Sequence, residues 1–487
     1  MAKSRCRGVL GVVLFVVASG QLGTAAGRQD PQPHQPNVVL ILIDDLGWGD
    51  LGCYGNQFHQ TPHIDRLAEQ GVRFTDAYAA APVCSPTRAA IMTGKYPARL
   101  YITDFIPGHW RPWAKLTVPA IRHELPLEEV TLAELAKQAG YYTGYFGKWH
   151  LGGRAFFPDR QGFDEWLVTS GRHFAPRFRT VPPHPVPPGT YLADFLTDRA
   201  VEFIERNRPR RFLLFLAHYA VHIPLEAPSH VVRKYEQKQK PPQGVNNPVY
   251  AAMVEEVDRS VGRILATLQR YGLGDRTLVI FTSDNGGLHR RFDGQGPVVS
   301  SLEPLRGEKG TLYEGGIRVP LIVRWPGVAR AGTICREPVS SIDLLPTIAD
   351  AVGVAVERSW RVDGISLLPL LRGKPTLERE ALFWHYPHYH HSTPASAVRS
   401  GPWKLIHFYE DGRDELYNLA DDLSERHNLA GQEPERVAAL RKLLQLWRTE
   451  VGARLPAPNP DYDPARAHLW RPRRAAVRSR TAPQRRP

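Results

Sequence analysis

Four continuous apolar runs divide the chain up to residue 325. They cover 37–43 (NVVLILI), 212–217, 277–281 and 321–325. An apolar run without polar alternation is typical of a parallel strand that is buried on both faces. Amphipathic patterns between the runs predict helices over 61–70 and 247–270. The alternation predicts an α/β fold, in which helices cover both sides of a large mixed, mostly parallel sheet.

The pattern changes at about residue 380, where short strand-like segments replace the long runs. The segments 381–386, 396–400, 403–409 and 414–419 follow one another closely, as in an antiparallel sheet. A helical pattern over 433–451 comes next. We therefore expect a large N-terminal α/β domain over 37–375 and a smaller C-terminal antiparallel α+β subdomain over 376–465.

The N-terminus has the composition of a secretory signal. Residues 1–26 combine Lys3, Arg5 and Arg7 with an apolar stretch over 8–18 and small residues at 24–26. Cleavage there would leave residues 27–36 as a short linker and would place the protein in a periplasm or outside the cell. A membrane anchor is the alternative, but the stretch is short for a span. No other segment resembles a span, so the mature chain is expected to have none.

Charge is concentrated at the two ends of the chain. Of the formal +13 on 487 residues, three charges lie in residues 1–26 and seven in 471–487, which leaves +3 for the body. A nearly neutral body argues against a nucleic-acid partner. Apolar and charged shares of 42 % and 23 % argue against a disordered chain. Residues 466–487 are predicted to be a disordered basic tail, which either contacts an acidic polymer or membrane surface or has no role.

Polar residues with metal-binding chemistry follow three of the apolar runs. The carboxyl ends of neighbouring parallel strands meet at one edge of a sheet, where ligands bind. Three carboxylates and an amide oxygen, without a thiolate pair, favour Ca²⁺ or Mg²⁺ over zinc. Helix capping or a tight turn is the alternative role for each residue taken singly. The residues are Asp44 and Asp45 after the first run, His218 and His222 after the second, and Asp284 and Asn285 after the third.

Cysteine usage excludes two classes of protein. After signal cleavage Cys53, Cys84 and Cys335 remain, an odd number that does not form a disulfide scaffold. Their spacing contains no Cys-x-x-Cys pair, which argues against a zinc thiolate site. Cys84 opens the most specific string in the chain, 84–95 (CSPTRAAIMTGK). Taken alone, this cysteine could be a buried structural thiol.

The string 84–95 resembles the Cys-x-Pro-x-Arg signature of the type I sulfatases, which belong to the alkaline-phosphatase superfamily. Thr87 stands where the commonest family version has serine. The resemblance extends over nearly the whole mature chain and implies an alkaline-phosphatase-like fold. The further matching segments, in the family's order, are 37–55, 147–152 (GKWHLG), 220–224 (AVHIP), 282–287 and 306–320.

The resemblance implies a nucleophile and a cofactor. In this family a maturation enzyme oxidises the signature cysteine to formylglycine, and the hydrated aldehyde is the nucleophile. Residues 85–93 are expected to form a helix that places residue 84 at its N-terminus. Ca²⁺, or Mg²⁺, would bind sulfate oxygens. Its expected ligands are Asp44, Asp45, residue 84, Asp284 and Asn285.

The remaining family motifs imply positioning and acid–base roles. Arg88 would hold the modified side chain, and Lys148 and Lys309 would supply positive charge to the sulfate. His150 would orient or deprotonate the diol, and His222 would protonate the leaving alcohol. The alternatives are surface loop positions for the lysines and His150, and a packed histidine at 222.

The expected substrate is a sulfated polysaccharide or glycosaminoglycan fragment, such as a galactose or N-acetylgalactosamine sulfate. Loops rich in aromatic, arginine and histidine side chains suit sugar faces, hydroxyls and neighbouring sulfates, although structural packing is an equal alternative. Two other function classes stay open: a phosphonate monoester or phosphodiester hydrolase, and a non-catalytic protein that binds sulfated glycans. The candidate substrate contacts are Arg172, His173, Arg177, His385 and His388.

Overall fold

The structure is a computed structural model that describes Met1 and residues 35–472, with only the backbone described at 471 and 472. The predicted signal peptide, most of the linker and the chain beyond residue 472 lie outside the described residues. The strands are β1 (Asn37–Ile43), β2 (Val72–Phe74), β3 (Ala77–Tyr78), β4 (His109–Trp110), β5 (Leu116–Thr117), β6 (Tyr142–Gly147), β7 (Glu165–Gly171), β8 (Phe178–Val181), β9 (Phe212–Ala217), β10 (Thr277–Ser283), β11 (Leu321–Arg324), β12 (Thr333–Cys335), β13 (Val339–Ser340), β14 (Leu382–Tyr386), β15 (Ala395–Ser400), β16 (Trp403–Phe408), β17 (Asp414–Asn418), β18 (Ala457–Pro458) and β19 (Arg471–Pro472).

The α-helices in this part of the chain vary from one turn to six. They are α1 (Pro62–Glu69), α2 (Cys84–Thr93), α3 (Pro97–Leu100), α4 (Leu132–Gln138), α5 (Leu192–Asn207), α6 (Ser229–Gln237), α7 (Pro248–Arg270), α8 (Glu314–Ile317), α9 (Leu344–Val352), α10 (Leu368–Leu371) and α11 (Pro434–Glu450). Single turns of 3-10 helix occur at Gly52–Tyr54, Arg154–Phe156, Pro158–Arg160, Gly274–Arg276, Ser341–Asp343 and Arg358–Trp360.

Nine strands form the large sheet, in the order β12-β2-β11-β10-β1-β9-β6-β7-β8. β1 lies between β10 and β9 and is parallel to both, so the three strands end at the same edge. β11 runs antiparallel to β10, and β8 runs antiparallel to β7. The prediction of a mixed, mostly parallel sheet is confirmed.

Alternate residues of β1 belong to two different cores. Val38, Leu40 and Leu42 pack on one face with residues of α4 and α9. Val39 and Ile41 pack on the other face with residues of α5 and α7. Burial on both faces explains the continuous apolar run, because no position of the strand meets solvent. Each such side chain contributes about 1.5–3 kcal/mol relative to full exposure.

The long helix α7 shows how local sequence sets the supports of this sheet. The Asn247 side chain caps it by accepting hydrogen bonds from the amides of Val249 and Tyr250, and Pro248 occupies the first helical position. Its buried residues recur at helical spacing, as at Val257, Val261 and Ile264. The amphipathic pattern that predicted a helix over 247–270 therefore marks the face that packs on the sheet.

A second sheet contains β14, β15, β16 and β17 in sequence order, and all of its pairs are antiparallel. α11 packs on one face through Leu444 and Trp447. The other face packs on residues such as Tyr78 and Ile317, which come from the first part of the chain. This confirms the predicted C-terminal antiparallel α+β unit, although 37–375 and 376–465 stay predicted boundaries.

The folded chain continues into the segment predicted as a basic tail. β18 pairs with β5 and β19 pairs with β4, so the backbone is ordered by pairing as far as Pro472. Trp470 packs against His109, with their ring centroids 5.1 Å apart. Among the helices of the described chain, none has the length and apolar character of a membrane span.

Candidate active site

Cys84 is the first residue of α2, and Val83 precedes it in an extended conformation. No side chain caps the first amides of the helix, at the end that carries residue 84. The helix is buried along its whole length and ends at Gly94. Gly94 has φ +67°, and a Cβ there would lie 2.8 Å from Val362, so glycine is needed for the close turn. The sequence expectation of a helix over 85–93 is thus met, with its start at the cysteine itself.

His150 lies beside Cys84 in a defined tautomer. Its Nε2 is hydrogen-bonded to the carbonyl oxygen of Ile106, which can only accept, so Nε2 carries the proton. Nδ1 is then the free acceptor, and it lies 3.2 Å from Cys84 Sγ. Burial, followed by the charge of Lys148, lowers the pKa of His150 well below its usual range. His150 is therefore a neutral base directed at residue 84.

Four side chains whose oxygen atoms could bind a metal lie at the carboxyl ends of β1 and β10. Asp44 and Asp45 follow β1, and Asp284 and Asn285 follow β10. The amide of Asp45 donates to Asp284 Oδ1 at 3.2 Å, which ties the two strand ends together. Asn285 Nδ2 donates to Asp45 Oδ1 at 2.8 Å. The predicted convergence of these side chains at one sheet edge is what the strand order produces.

Two lysines face the carboxylates of β1. Lys148 Nζ lies 2.5 Å from Asp44 Oδ2. Lys309 Nζ lies 2.8 Å from Asp45 Oδ2. Both lysines are at least nine-tenths buried, at 9 % and 8 % exposure. They are not surface loop residues, the alternative that the sequence left open.

Arg88 is fully buried and binds the third carboxylate. Its Nε and Nη2 lie 2.8 and 2.7 Å from Asp284 Oδ2. Its Nη1 donates to the carbonyl of Lys148 at 2.7 Å. The guanidinium therefore links α2, the end of β10 and the segment after β6. Its direct hydrogen bonds go to Asp284 and Lys148, and the expected hold on the side chain of residue 84 stays a prediction.

Two carboxyl groups of the site, those of Asp44 and Asp284, have pKa values shifted in opposite directions. Burial opposes ionisation of Asp44, but Lys148, His222 and Arg88 hold its pKa well below the usual range. Burial and the nearby charge of Asp44 raise the pKa of Asp284 to about 7. The pKa of the Cys84 thiol is raised, chiefly by burial, so the unmodified cysteine is a protonated thiol and a poor nucleophile.

Two buried oxygens in this cluster lack a hydrogen-bond partner, Asp44 Oδ1 and Asn285 Oδ1. Unpaired buried oxygens are costly unless a cation occupies the space in front of them. Ligand atoms of Asp44, Cys84 and Asp284 lie within 4.8 Å of one another, as do those of Asp44, Asp45 and His222. Hard carboxylate and amide oxygens of this kind fit Ca²⁺ or Mg²⁺.

His222 lies beside the carboxylate of Asp45, in the segment that follows β9. Its Nδ1 lies 2.6 Å from the carbonyl oxygen of Ile223 and carries the proton, and its Nε2 is 3.7 Å from Asp45 Oδ2. Tyr219 stacks on the ring at 5.1 Å. Burial and the charge of Lys309 lower the pKa of His222 to about 4. His218, the other histidine of this segment, bonds Ser260 Oγ instead, at 2.9 Å.

Three predicted substrate contacts lie on the His222 side. Arg172 and Arg177 are exposed and share Glu226, at 3.2 and 2.9 Å from its Oε1. His173 is buried, and its Nε2 donates to the carbonyl oxygen of His222 at 2.8 Å. His173 thus supports the His222 backbone, whereas the two arginines remain accessible to a ligand.

The two C-terminal candidates are packed residues. His385 lies in β14, and His388 lies in the loop between β14 and β15. His385 Nδ1 lies 2.7 Å from Ser396 Oγ, and its Nε2 lies 3.0 Å from the carbonyl oxygen of Arg454. His388 is buried, with Nε2 2.8 Å from Thr103 Oγ1. These contacts favour a packing role for His385, since both of its ring nitrogens are used by the protein.

Sequence reasoning missed the groups that orient the acid–base residues. The Ile106 carbonyl fixes the His150 tautomer, and the Tyr145 hydroxyl donates to the Lys148 carbonyl. The ring of Tyr219 stacks on both His173 and His222, with centroid distances of 4.9 and 5.1 Å. A main-chain carbonyl carries no sequence signal. Tyr219, in contrast, lies three residues before His222 and could have been found as part of that motif.

Two family models match the chain. The sulfatase model matches residues 36–354, and the model described as "N-sulphoglucosamine sulphohydrolase, C-terminal" matches residues 307–450. Arylsulfatase A of Homo sapiens is 35 % identical over 494 residues, covering 89 % of this chain and 91 % of that protein. N-acetylgalactosamine-6-sulfatase of Canis lupus familiaris is 35 % identical over 421 residues, covering 82 % of this chain and 75 % of that protein.

Solved structures also match most of this chain. Ps i-CgsB in complex with k-i-k-neocarrahexaose is 29 % identical with a TM-score of 0.72, covering 85 % of this chain and 93 % of that one. The structure of BT4656 with D-glucosamine-2-N, 6-O-disulfate is 25 % identical with a TM-score of 0.71, covering 86 % and 98 %. A phosphonate monoester hydrolase of Agrobacterium radiobacter, 22 % identical with a TM-score of 0.65, shares the fold.

Proposed function

Because the chain belongs to the sulfatase family, we propose that it hydrolyses sulfate monoesters of a carbohydrate, with formylglycine at position 84 and a bound divalent cation. One observation carries this proposal. Cys84 Sγ lies at a helix N-terminus, 3.2 Å from a neutral imidazole nitrogen, and within 4.8 Å of the ligand atoms of Asp44 and Asp284. A nucleophile at this position would have a base on one side and a cation site on the other.

The proposed cation site consists of Asp44, Asp45, Asp284 and Asn285, together with residue 84. Bound Ca²⁺, or Mg²⁺, would supply Lewis-acid stabilisation of sulfate oxygens. The unpaired Asp44 Oδ1 and Asn285 Oδ1 support this assignment. Arg88 holds Asp284 in place, and Lys148 and Lys309 hold Asp44 and Asp45. The same two ammonium groups would offset the negative charge of the sulfate.

His150 is proposed to accept a proton from the side chain of residue 84. Its Nδ1 is already within hydrogen-bond reach of that side chain, and the Ile106 carbonyl keeps the other nitrogen protonated. A formylglycine hydrate supplies the hydroxyl from which the proton would be taken. The unmodified thiol is not a substitute, because burial raises its pKa.

His222 is proposed to protonate the leaving alcohol through Nε2. Its Nδ1 is committed to the Ile223 carbonyl, so only Nε2 can donate to substrate. The pKa of about 4 reflects burial and the lysines. An anionic sulfate bound beside the ring would raise that pKa, because a nearby negative charge favours the imidazolium. Substrate binding would therefore favour the protonated form of His222, which can donate a proton to the leaving alcohol.

The substrate is proposed to be a sulfated polysaccharide or glycosaminoglycan fragment, such as a galactose or N-acetylgalactosamine sulfate. The similarity to N-acetylgalactosamine-6-sulfatase and to the neocarrahexaose-bound structure supports this choice. Arg172 and Arg177, exposed beside Glu226, are the proposed contacts to sugar hydroxyls or a second sulfate. His173 would act by supporting the His222 backbone, and His385 and His388 by packing in and next to the second sheet.

We also propose that the protein is exported to a periplasm or the extracellular space and is converted at Cys84 by a maturation enzyme. The signal-like composition of residues 1–26 supports export. N-terminal sequencing of the secreted protein should begin at residue 27. Peptide mass spectrometry across residue 84 should show aldehyde, with its hydrate, in place of the thiol.

The decisive experiment compares the converted protein with Cys84→Ala and Cys84→Ser, all made in a host that converts cysteine but not serine. Release of inorganic sulfate should occur only with the converted protein, on an aryl sulfate and on sulfated galactose or N-acetylgalactosamine oligosaccharides. Matching circular dichroism spectra would show that the variants fold. Faster turnover of an aryl phosphodiester would favour the phosphonate or phosphodiester hydrolase class. Glycan binding without turnover, after verified conversion, would favour a binding protein.

A further inference from the structure

The ring of Tyr219 stacks on two histidines, one of which is the proposed acid. Its centroid is 5.1 Å from that of His222 and 4.9 Å from that of His173, with 28° between the ring planes in both pairs. Stacked rings have preferred distances and offsets, so each pair restricts the orientation of its members. His173 also donates from Nε2 to the His222 carbonyl at 2.8 Å. The ring and the backbone of His222 are thus held by two neighbouring aromatic side chains.

Tyr219 and His222 share a hydrogen-bond acceptor. The Tyr219 hydroxyl donates to the Ile223 carbonyl oxygen at 3.1 Å, and His222 Nδ1 lies 2.6 Å from the same oxygen. The His222 amide donates to the Tyr219 carbonyl at 3.1 Å. Burial raises the pKa of Tyr219 to about 12, so its hydroxyl stays a donor at neutral pH. One main-chain carbonyl therefore aligns the tyrosine and the histidine with each other.

The backbone of this segment is fixed to the end of β1. The Asp44 amide donates to the Ala220 carbonyl at 3.0 Å, and the Val221 amide donates to the Asp44 carbonyl at 2.8 Å. These bonds set where the main chain of His222 lies relative to the proposed cation site. They leave the torsions of its side chain free. Two contacts restrict those torsions, the Nδ1 hydrogen bond and the stack with Tyr219.

Tyr219 also contacts a proposed sulfate-binding group. Lys148 Nζ lies 5.5 Å from the centroid of the Tyr219 ring, within the range of a cation–π interaction. The same ammonium group is bonded to Asp44 Oδ2. One half-buried ring is therefore in contact with the lysine proposed to offset the sulfate charge and with the histidine proposed to protonate the leaving oxygen.

We infer that Tyr219 is a positioning residue for His222, and that its ring makes the enzyme effective on unactivated sugar sulfate esters as well as on activated aryl esters. The inference rests on the proposed function, because it assigns Tyr219 to the proton donor of that reaction. In that step the bond between sulfur and the ester oxygen breaks, its electron pair stays on the oxygen, and the Nε2 proton of His222 moves to that oxygen. A nitrophenolate leaves without this proton because its charge is delocalised, whereas a sugar alkoxide needs it.

A packing role for Tyr219 is the alternative, and it predicts a different result. Lost packing would slow every ester to the same extent. Lost orientation of His222 would slow an ester according to how much its alcohol needs a proton. Proton transfer requires Nε2 within about 2.6–3.2 Å of the leaving oxygen. With leucine at position 219, no ring would stack on the imidazole at this face, and Nε2 would be aligned in a smaller fraction of encounters.

The first test compares two variants of the converted enzyme on two aryl esters of similar shape, 4-nitrophenyl sulfate and phenyl sulfate. The measured quantity is kcat/KM, which includes the step in which the ester bond breaks. Tyr219→Leu should lower it about tenfold or more on phenyl sulfate and less than about threefold on 4-nitrophenyl sulfate. Tyr219→Phe keeps the ring and should stay within about threefold of the parent on both esters. Equal losses on the two esters, or a phenylalanine variant as impaired as the leucine variant, would overturn the inference.

Two further variants serve as controls. Tyr142 is also half-buried and stacks on Phe203 at 6.0 Å, but it is the first residue of β6, whose other end leads to Lys148. Tyr142→Leu should leave the ratio of the two kcat/KM values unchanged. The double variant Tyr219→Leu/His222→Ala should be no more selective between the esters than His222→Ala, because no imidazole remains to be positioned. An additional selective loss in the double variant would contradict the inference.

The second test does not need turnover. In the full chain carrying Cys84→Ala, with ¹⁵N in the histidine rings, NMR at neutral pH should show one tautomer of His222, protonated at Nδ1. Its signals are assigned by their loss in His222→Ala. Tyr219→Phe should keep this tautomer, and Tyr219→Leu should give an exchanging mixture of both. A single Nδ1-protonated tautomer in the leucine variant would overturn the inference. If no converted variant hydrolyses an ester but the tautomer depends on Tyr219, the proposed function fails while the positioning role stands.

Discussion

His150 presents an unprotonated Nδ1 to Cys84 Sγ at 3.2 Å, because the Ile106 carbonyl holds its proton on Nε2. His150 also has φ +59°, a left-handed conformation that asparagine tolerates better than most residues. The side chain is therefore fixed both by its backbone and by a main-chain acceptor. This pair connects α2 with the segment after β6 and defines where a proton can leave residue 84.

His150→Asn should lower kcat by about 10²–10⁴ while the fold is kept. Asparagine suits the positive φ and can place a polar atom near residue 84, but it cannot accept a proton as imidazole does. Sulfate release on an aryl sulfate measures the effect, with the formylglycine content of each preparation checked by mass spectrometry. A kcat within threefold of the parent, at equal conversion, would remove His150 from the proton transfer.

Asn285→Leu should weaken Ca²⁺ binding at least about tenfold, because it removes an oxygen donor and the hydrogen bond that orients Asp45. The readout is the Tm of the protein with and without Ca²⁺, since a cation that binds only the folded state raises Tm by an amount that grows with the logarithm of its affinity. Without metal the variant should already be less stable than the parent, because the buried hydrogen bond to Asp45 is lost, and only the parent should gain further stability at low Ca²⁺. The same titration with Mg²⁺ shows which cation the site prefers.

The strand ends that build the site were predictable because burial on both faces leaves a clear sequence signal. β1, β9 and β10 appear as uninterrupted apolar runs, and the polar residues that follow them had to meet once the strands were neighbours. The helix α2 was predictable from the signature and from Pro86 in its first turn. Most of the site could thus be predicted from local sequence together with the general rule that ligands bind at the carboxyl ends of parallel strands.

Long-range pairing of short elements was not predictable. β18 and β19 have two residues each and no apolar periodicity, so nothing in their sequence indicates that they pair with β5 and β4. The same holds for side chains with several possible partners. Arg88 was expected at residue 84, and its direct bonds go to Asp284 and the Lys148 carbonyl, a choice set by the packing of three distant segments.

Stability should fall between pH 6.5 and 4 partly through His218, which is fully buried and bonded to Ser260 Oγ. Burial lowers the pKa of His218 from 6.5 to about 4. Over that window the unfolded chain binds a proton that the folded chain does not, so the free energy of unfolding decreases as pH falls. The loss attributable to this residue is about 3 kcal/mol, complete near pH 4 and absent above pH 6.5.

His218→Gln should remove that contribution, because glutamine can bond Ser260 but does not titrate. Urea denaturation at pH 7.5 and pH 4.5 measures the free energy of unfolding of both proteins. The parent should lose more stability than the variant over this interval. Parallel losses would show that His218 is not the titrating group, and other buried histidines such as His59, whose pKa is also lowered to about 4 by burial, would then account for them.

Lys404→Met should destabilise the fold by about 3–5 kcal/mol, because it leaves two carboxylates buried without their shared cation. Lys404 Nζ lies 2.8 Å from Glu314 Oε1 and 2.9 Å from Glu425 Oε1, and all three side chains are fully buried. Glu314 opens α8, immediately after the segment that carries Lys309. The ion pairs therefore fasten the second sheet to a proposed catalytic loop, and urea denaturation at pH 7.5 would measure what they contribute.

The double variant Lys404→Met/Glu425→Gln tests whether unpaired charge is the cause of that loss. Glutamine can still accept the hydrogen bond that Glu425 Oε2 receives from the Glu314 amide at 2.7 Å, and Glu314 keeps Arg318 as a cationic partner at the same distance. Removing one carboxylate with the lysine should recover about 1 kcal/mol or more of the free energy of unfolding. A double variant no more stable than Lys404→Met would mean that the loss of stability comes from the packing of the lysine stem and not from its charge.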